Sequence, residues 1–230
     1  MGQEKIEALK ALKIAGLPRF LASDASASVA AEATSRKHIY LIRHGQAAHN
    51  IVAKPWGEDL VDARLTDEGR QQAATTLAAA AASLPLEVIV TSPLCRAIDT
   101  AILGLAPHID RGVAIIACEE CREQFGQNLP DRRRATAALR ADYPHIDFAA
   151  ITEEDALFTP EREALEALVL RADAFLESLL ARPEQHIAVT THSSFLAALC
   201  NAALDTSAAP NISSWFDNAE MRVLLLERVQ

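Results

Sequence analysis

Short β-branched and aliphatic runs alternate along this chain with stretches whose apolar positions recur at three- and four-residue spacing. The runs predict strands over His38–Arg43, Leu86–Thr91, Val113–Ala117, His186–Thr191 and Met221–Glu227. Between the first two, Asp67–Ser83 reads as a helix capped by Thr66, with Asp67 and Glu68 in its first turn facing the positive end of the dipole. Ser92-Pro93 reads as another helix start, with Ser92 as cap and Pro93 at the first helical position. Thr159-Pro160-Glu161 opens a long amphipathic helix to about Arg182, and Ser193 caps a helix running to Leu204. Strands alternating with helices predict an α/β three-layer sandwich, a mainly parallel central sheet flanked by helices. The charged stretch 119–158 is too long for a plain crossover and reads as a helical cap insertion.

Residues 1–36 read as an amino-terminal extension outside a domain spanning 37–230. Ile6, Leu9, Leu12 and Lys13 fall at helical spacing, which predicts a short helix up to Gly16. Ser23–Ser35 is rich in alanine and serine and reads as a linker. No chemistry is assigned to this segment.

Composition narrows the classes. A hydrophobic content of 50% is that of a globular chain, and aromatics at 5% imply helices packed through small side chains. A net charge of −9 argues against nucleic acid or an anionic membrane as partner. An acidic chain that binds an anionic substrate must therefore gather its cations locally. Four scattered cysteines do not make a disulfide framework, and Cys118-Glu-Glu-Cys121 has no second pair at zinc spacing. Together with the lack of a membrane span or secretory signal, this predicts a reduced, cytoplasmic protein.

The polar residues that follow each predicted strand carry the chemistry. After the first come Arg43, His44 and a permissive Gly45 at a turn, with His49 and Asn50 a few residues on; after the second comes Arg96, in the first turn of a helix. Glu119, Glu120 and Glu123 follow the third strand, and His192-Ser193-Ser194 the fourth. In a parallel sheet these ends share one edge, where ligands bind. Two arginines suit phosphate oxygens, and helix amino-termini add N–H donors. No carboxylate cluster or His-x-x-x-His resembles a metal site, so a histidine is the natural nucleophile for a bound phosphate.

Three ordered stretches resemble the signatures of the histidine phosphatase superfamily, in its phosphoglycerate-mutase-like branch. They are Leu41-Ile-Arg-His-Gly-Gln46, Ser92-Pro-Leu-Cys-Arg-Ala97 with Thr100-Ala101, and Val189-Thr-Thr-His-Ser-Ser194. Leu65-Thr-Asp-Glu-Gly69 and the middle segment, Cys121-Arg-Glu-Gln-Phe-Gly126 through Asp131-Arg-Arg-Arg134, are similar to plant and microbial phosphoglycerate mutase-like proteins more than to glycolytic mutases. The resemblance covers residues 37–230. It implies a metal-independent phosphatase, without cofactor, that hydrolyses a small phosphomonoester. In it, His44 becomes phosphohistidine while Arg43, Arg96, His192 and Asn50 hold the phosphoryl oxygens. A glutamate serves as acid and base; Glu123 is favoured, with Glu119 and Glu120 as rivals. A cofactor-dependent phosphoglycerate mutase and a non-catalytic phospho-ligand binder are the competing readings.

Several residues carry two readings. Arg132-Arg133-Arg134 either holds a second anionic group of the substrate or is a solvated helix-surface run. His49 either lines the pocket or is incidental to it. His38, His108, His145 and His186 read as surface or strand-edge residues, Trp56 and Trp215 as packing or pocket wall, and Cys95 and Cys200 as buried small hydrophobes.

Overall fold

A computed structural model of the chain describes residues 2–12, 14–23, 36–53, 57 and 60–229. It begins with helix α1 (Gly2–Ala11), strand β1 (Phe20–Ser23) and strand β2 (Lys37–Arg43). Helices α2 (Asp67–Gln72) and α3 (Ala78–Ala81) are joined without a break by one π-turn, Ala73–Leu77. The Thr66 hydroxyl caps α2 by accepting the Gly69 N–H, as the sequence predicts. Strand β3 (Val88–Thr91), helices α4 (Cys95–Gly104) and α5 (Ala106–Ile109) and strand β4 (Ala114–Ala117) follow. The rest comprises α6 (Thr136–Asp142), β5 (Ile146–Asp147), α7 (Leu165–Ala181), β6 (His186–Thr191), α8 (Ser193–Ala198), β7 (Leu204–Ala208) and β8 (Met221–Arg228).

The eight strands form one sheet in the order β5-β4-β3-β6-β2-β8-β1-β7. Pairing is parallel from β5 through β2, antiparallel where β8 meets β2 and β1, and parallel again between β1 and β7. Period-two alternation explains why β2 is apolar from Ile39 to Ile42: Ile39 and Leu41 enter one core, Tyr40 and Ile42 the other. Helices α1, α7 and α8 cover the first face, and the helices between Asp67 and Asp142 cover the second. The predicted mainly parallel, helix-flanked α/β sheet is therefore the observed architecture.

Several expectations need correction. The described part of residues 1–36 packs into the fold rather than standing outside it: α1 buries Ile6 and Leu9 in the first core and β1 is an interior strand between β8 and β7. Each of those two side chains, once buried, stabilises docking by about 1.5–3 kcal/mol. The helix ends at Ala11 rather than Gly16. Of the predicted linker Ser23–Ser35, Ser23 closes β1 instead, and the remainder, like Trp56, lies outside the described residues.

The stretch 119–158 is less a helical cap than a set of single turns, one short helix and the edge strand β5. The helix predicted from Thr159 starts only at Leu165. The intervening residues instead run beside the 125–127 backbone, where Gln127 N–H donates to Thr159 O at 2.8 Å and Glu163 N–H to Phe125 O at 3.0 Å. Gly126 makes this approach possible: its φ is +74°, and a Cβ there would lie 1.9 Å from Glu161 O. α4 likewise begins at Cys95, with Leu94 as its cap residue, so the predicted cap, Ser92, stands two residues ahead of the observed one.

Candidate active site

Strand register places the chemistry. Arg43 pairs with Thr191, and Thr91 pairs with both Thr190 and Ala117, so β2, β6, β3 and β4 end together. The backbone ladder continues one residue further: His44 N–H donates to Thr191 O, Ser92 N–H to Thr190 O, and Cys118 N–H to Thr91 O. His44, Ser92 and His192 are thereby gathered at one edge.

His44 is buried, and two hydrogen bonds fix its tautomer. Nδ1 lies 2.6 Å from the Gly45 carbonyl, which can only accept, so Nδ1 carries the proton. Arg96 Nε, which can only donate, lies 3.3 Å from Nε2, so Nε2 carries a lone pair. Burial, then the charges of Arg96, His192, Arg43 and His49, hold the ring well below its usual range. His44 is a neutral, oriented nitrogen nucleophile.

The space for Gly45 is not about a turn. Its φ is not left-handed, but a Cβ would come within 2.5 Å of Gly69 O, and a Cβ on Gly69 would come within 2.0 Å of Gln46 O. The glycines of two separate sequence motifs pack backbone to backbone. Gly69→Ala should therefore cost about 2–3 kcal/mol by forcing α2 away from the 44–46 loop, measured as a shift in the urea midpoint alongside loss of activity.

Arg96 is completely enclosed, with Nη1 on Pro130 O at 2.6 Å and Nη2 on Asp131 Oδ1 at 2.8 Å. The outer edge of the fork is thus tied to the turn Leu129–Asp131, which keeps the Nε edge against His44. Asp131 also accepts from Arg162 at 2.9 Å. His192 lies 5.1 Å from His44, ring centre to ring centre, with Nε2 2.7 Å from Ser92 Oγ. Arg43 donates through Nη1 to Phe216 O at 2.6 Å. Of the six buried side-chain polar atoms without a hydrogen-bond partner among the described residues, three belong to this group: Arg43 Nε, His49 Nδ1 and His192 Nδ1. Buried polar atoms are rarely left so, and three of them around one histidine mark the place for a ligand rich in acceptor oxygens.

Above this group opens a cleft of about 820 Å³, walled by Lys5, Arg43, His49, Asn50, Glu123 and Arg162 among others. Asn50 is exposed at the rim, where Oδ1 accepts the Ala47 N–H and Nδ2 donates to His49 Nε2. His49 lines the cleft, and burial, then Arg96, pulls it down to about 3. Trp215 is a wall residue, packed against Gly2.

Of the three candidate glutamates, only Glu123 faces the cleft. Glu119 is committed to Arg122 and Arg133, both at 2.9 Å, and Glu120 accepts from Cys118 Sγ. Glu123 takes the place of a cap on α8. Ser194 N–H donates to both its oxygens at 3.1 and 3.2 Å, Gln124 N–H donates to Oε1 at 2.9 Å, and Ser193 Oγ donates to Oε2 at 3.2 Å. The Ser193 hydroxyl, predicted to cap the helix itself, is thus spent on the carboxylate. Burial would raise Glu123, but Lys5, Arg162 and the two backbone donors outweigh it and bring it to about 2. A carboxyl depressed in this way stabilises the fold fully above its unfolded value near 4.3 and loses that contribution as pH falls toward 2. Glu123→Gln should therefore lower stability at pH 7 by about 3 kcal/mol and flatten the acid limb of a pH–melting curve between pH 4.5 and 2.

Other expectations fall differently. The readings of Arg132-Arg133-Arg134 divide by residue: Arg132 is exposed and lies over the Phe158 ring, Arg133 is buried in a web with Glu119, Thr136 and Thr152, Arg134 pairs with Asp62 and Asp142, and none of the three lines the cleft. His108 is buried against Ala81 O rather than at the surface. Cys95 and Cys200 are buried as predicted, but Cys95 also donates to Asp62 at 3.0 Å, and burial with Asp62 pushes its thiol up to about 12. Nothing local in the sequence sets Lys5, Asp131 and Arg162 apart as site residues: Lys5 lies in the amino-terminal stretch and Arg162 just after the Thr159-Pro160-Glu161 helix signal. For Asp131 the one available signal was its place beside three arginines.

A model of the histidine phosphatase superfamily (branch 1) matches residues 39–230. A phosphoglycerate mutase-like protein of Arabidopsis thaliana is 31% identical over 201 residues, covering 72% of this chain and 74% of its own length. A Schizosaccharomyces pombe protein described as a probable phosphatase is 29% identical over 162 residues, covering 68% and 74%. Among solved structures, the alpha-ribazole phosphatase of Shigella flexneri superposes with a TM-score of 0.56 at 21% identity, over 81% of this chain and 89% of that one. A mycobacterial glucosyl-3-phosphoglycerate phosphatase superposes at 0.53 and 22%, over 83% and 90%. These two likenesses bear on the fold.

Proposed function

This chain belongs to the histidine phosphatase superfamily, and from that premise we propose that it is a metal-independent phosphatase that hydrolyses a small phosphomonoester through phosphohistidine on His44. The observation that carries the reading is the neutral His44, its Nε2 lone pair oriented by Arg96 and ringed by the unpaired buried atoms of Arg43, His49 and His192. A phosphoryl group brings the acceptor oxygens these atoms lack, and its negative charge is favoured by the field that keeps the histidines neutral.

The reaction runs in two displacements. His44 Nε2 attacks phosphorus in line; the N–P bond forms as the ester P–O bond breaks, and the leaving oxygen takes a proton from Glu123. Arg43, Arg96 and His192 bind the equatorial oxygens, with Asn50 at the rim. Water then attacks phosphorus while the Glu123 carboxylate takes its proton; the N–P bond breaks and inorganic phosphate leaves. A carboxyl held near 2 in the free protein is a poor acid until a substrate dianion enters beside it and raises it again. The free thiols of Cys95, Cys118, Cys121 and Cys200 fit work in a reducing compartment such as the cytoplasm.

The test is hydrolysis of aryl phosphates in EDTA across pH. Turnover should not fall as pH drops through about 6.5, because His44 is already neutral above and below that value. Glu123→Gln should slow esters with poor leaving groups most, by about 10²–10⁴-fold. Stable phosphorylation by a bisphosphoglycerate, with transfer to phosphoglycerate faster than hydrolysis, would establish a mutase instead.

A further inference from the structure

Helix α1 precedes the stretch matched by the family model, yet it reaches the cleft. Its Ile6 and Leu9 are buried in the core, and Lys5, on the turn between them and Gly2, points at the α8 amino-terminus. Lys5 Nζ donates to Gln124 Oε1 at 2.7 Å and to Ser194 Oγ at 2.9 Å. These are the two residues whose backbone N–H groups grip the Glu123 carboxylate. Gln124 is fixed from its other end, donating through Nε2 to Glu163 O at 2.6 Å. One ammonium group thus ties the 123–124 loop to the start of α8.

We propose that Lys5 is a positioning residue for the proton-transfer step: it clamps Gln124 to Ser194 and so sets where the Glu123 carboxylate lies and how readily it is protonated. The inference rests on the role of Glu123 given above. Lys5 does not touch the reacting atoms; it acts through the two backbone donors and through its charge. It stands opposite Arg162, which faces Glu123 from the loop before α7, while Arg43 and His49 face it from the end of β2 and the turn after it. Arg171 of α7 donates to the Glu123 carbonyl at 3.1 Å. Asp131 and Glu163 supply the neighbouring negative charges, with Glu4 on the same cleft wall. After burial, the Lys5 ammonium is the strongest influence on the carboxylate, and burial in turn lowers the ammonium below its usual range.

Removing the ammonium has two consequences of opposite sign. A carboxylate deprived of a facing cation binds its proton more readily, so the alkaline limb of the rate moves upward. A loosened carboxylate meets the leaving oxygen less well, so the maximum falls. A merely structural lysine would lower the rate without moving the limb.

The experiment measures kcat and KM across pH for Lys5→Met, Lys5→Arg and the exposed control Lys10→Ala, on aryl phosphates with good and poor leaving groups. Lys5→Met should lower kcat for the poor leaving group about tenfold with KM within about twofold, and shift the alkaline limb up by about one pH unit. Lys5→Arg should restore most of both, and Lys10→Ala should match wild type. Ser194→Ala keeps the backbone donor but removes one end of the clamp. It should reproduce part of the kcat loss and be non-additive with Lys5→Met, which also covers the case in which Lys5→Met folds poorly. The inference is overturned if the limb stays put in Lys5→Met, or if KM alone rises, which would make Lys5 a substrate contact. If Glu123→Gln leaves the leaving-group dependence unchanged, the role of Glu123 fails and this inference with it. If Glu123→Gln behaves as an acid knockout and Lys5→Met does not move the limb, only the clamp fails.

Discussion

Alanine at position 44 is expected to lower phosphomonoester turnover by about four orders of magnitude or more, as removal of a nucleophile does elsewhere. The size of the effect follows from how little else could substitute. Nε2 of His44 is the ring nitrogen whose lone pair is held in place by a fully buried guanidinium, Arg96 Nε at 3.3 Å. His192 is turned to Ser92, and His49 Nε2 accepts from Asn50. In both rings Nε2 is turned to that neighbour, which leaves Nδ1 as the atom offered to a phosphoryl oxygen. Phosphate binding should survive the change, because Arg43, Arg96 and His192 remain. Hydrolysis of an aryl phosphate in EDTA, beside thermal stabilisation by inorganic phosphate, checks both halves. Wild-type turnover in His44→Ala would remove the histidine from the mechanism.

The largest structural effect should come from Asp131→Ala. Arg96 has no exposed surface, and Asp131 is its sole carboxylate partner among the described residues, at 2.8 Å. Leaving a buried guanidinium uncompensated costs about 3–5 kcal/mol, against a total stability of about 5–15 kcal/mol for a domain. For a chain of this size the melting temperature should drop by roughly 10 °C. Arg162, the second partner of Asp131, is 23% exposed and can turn to water, so Arg162→Ala should cost far less. Activity should fall as well, since the Nε edge of Arg96 is aimed by what holds its outer edge. Denaturation within about 0.5 kcal/mol of wild type would mean that the Pro130 carbonyl alone anchors the guanidinium.

What the sequence could show was set by range. The strand ends were legible because a short apolar run stops at a polar residue, and that signal is local: Arg43-His44, Arg96 and His192 all follow such runs. Helix starts were legible where a side chain caps its own helix, as Thr66 does, and misleading where the cap comes from elsewhere. Glu123 occupies the start of α8 from 70 residues away, and no spacing rule within the helix announces it. β1 was hidden for a related reason. Phe20-Leu-Ala-Ser23 is too short and too weakly alternating to read as a strand, and it is one because β8 and β7 present edges to it. Cations that pair across the fold were equally opaque. Arg133 and Arg162 look alike in the chain, but one is consumed by a buried web and the other opens onto the cleft.

The contact between Gly45 and Gly69 bears on how this chain can vary. At each position the obstacle is a backbone carbonyl, of Gly69 in α2 or of Gln46 in the loop after β2, not a side chain that could be trimmed in compensation. A methyl gained at either glycine therefore has no second-site remedy among the amino acids. The two positions are therefore constrained together, and escape from the constraint requires moving a helix start rather than changing a residue.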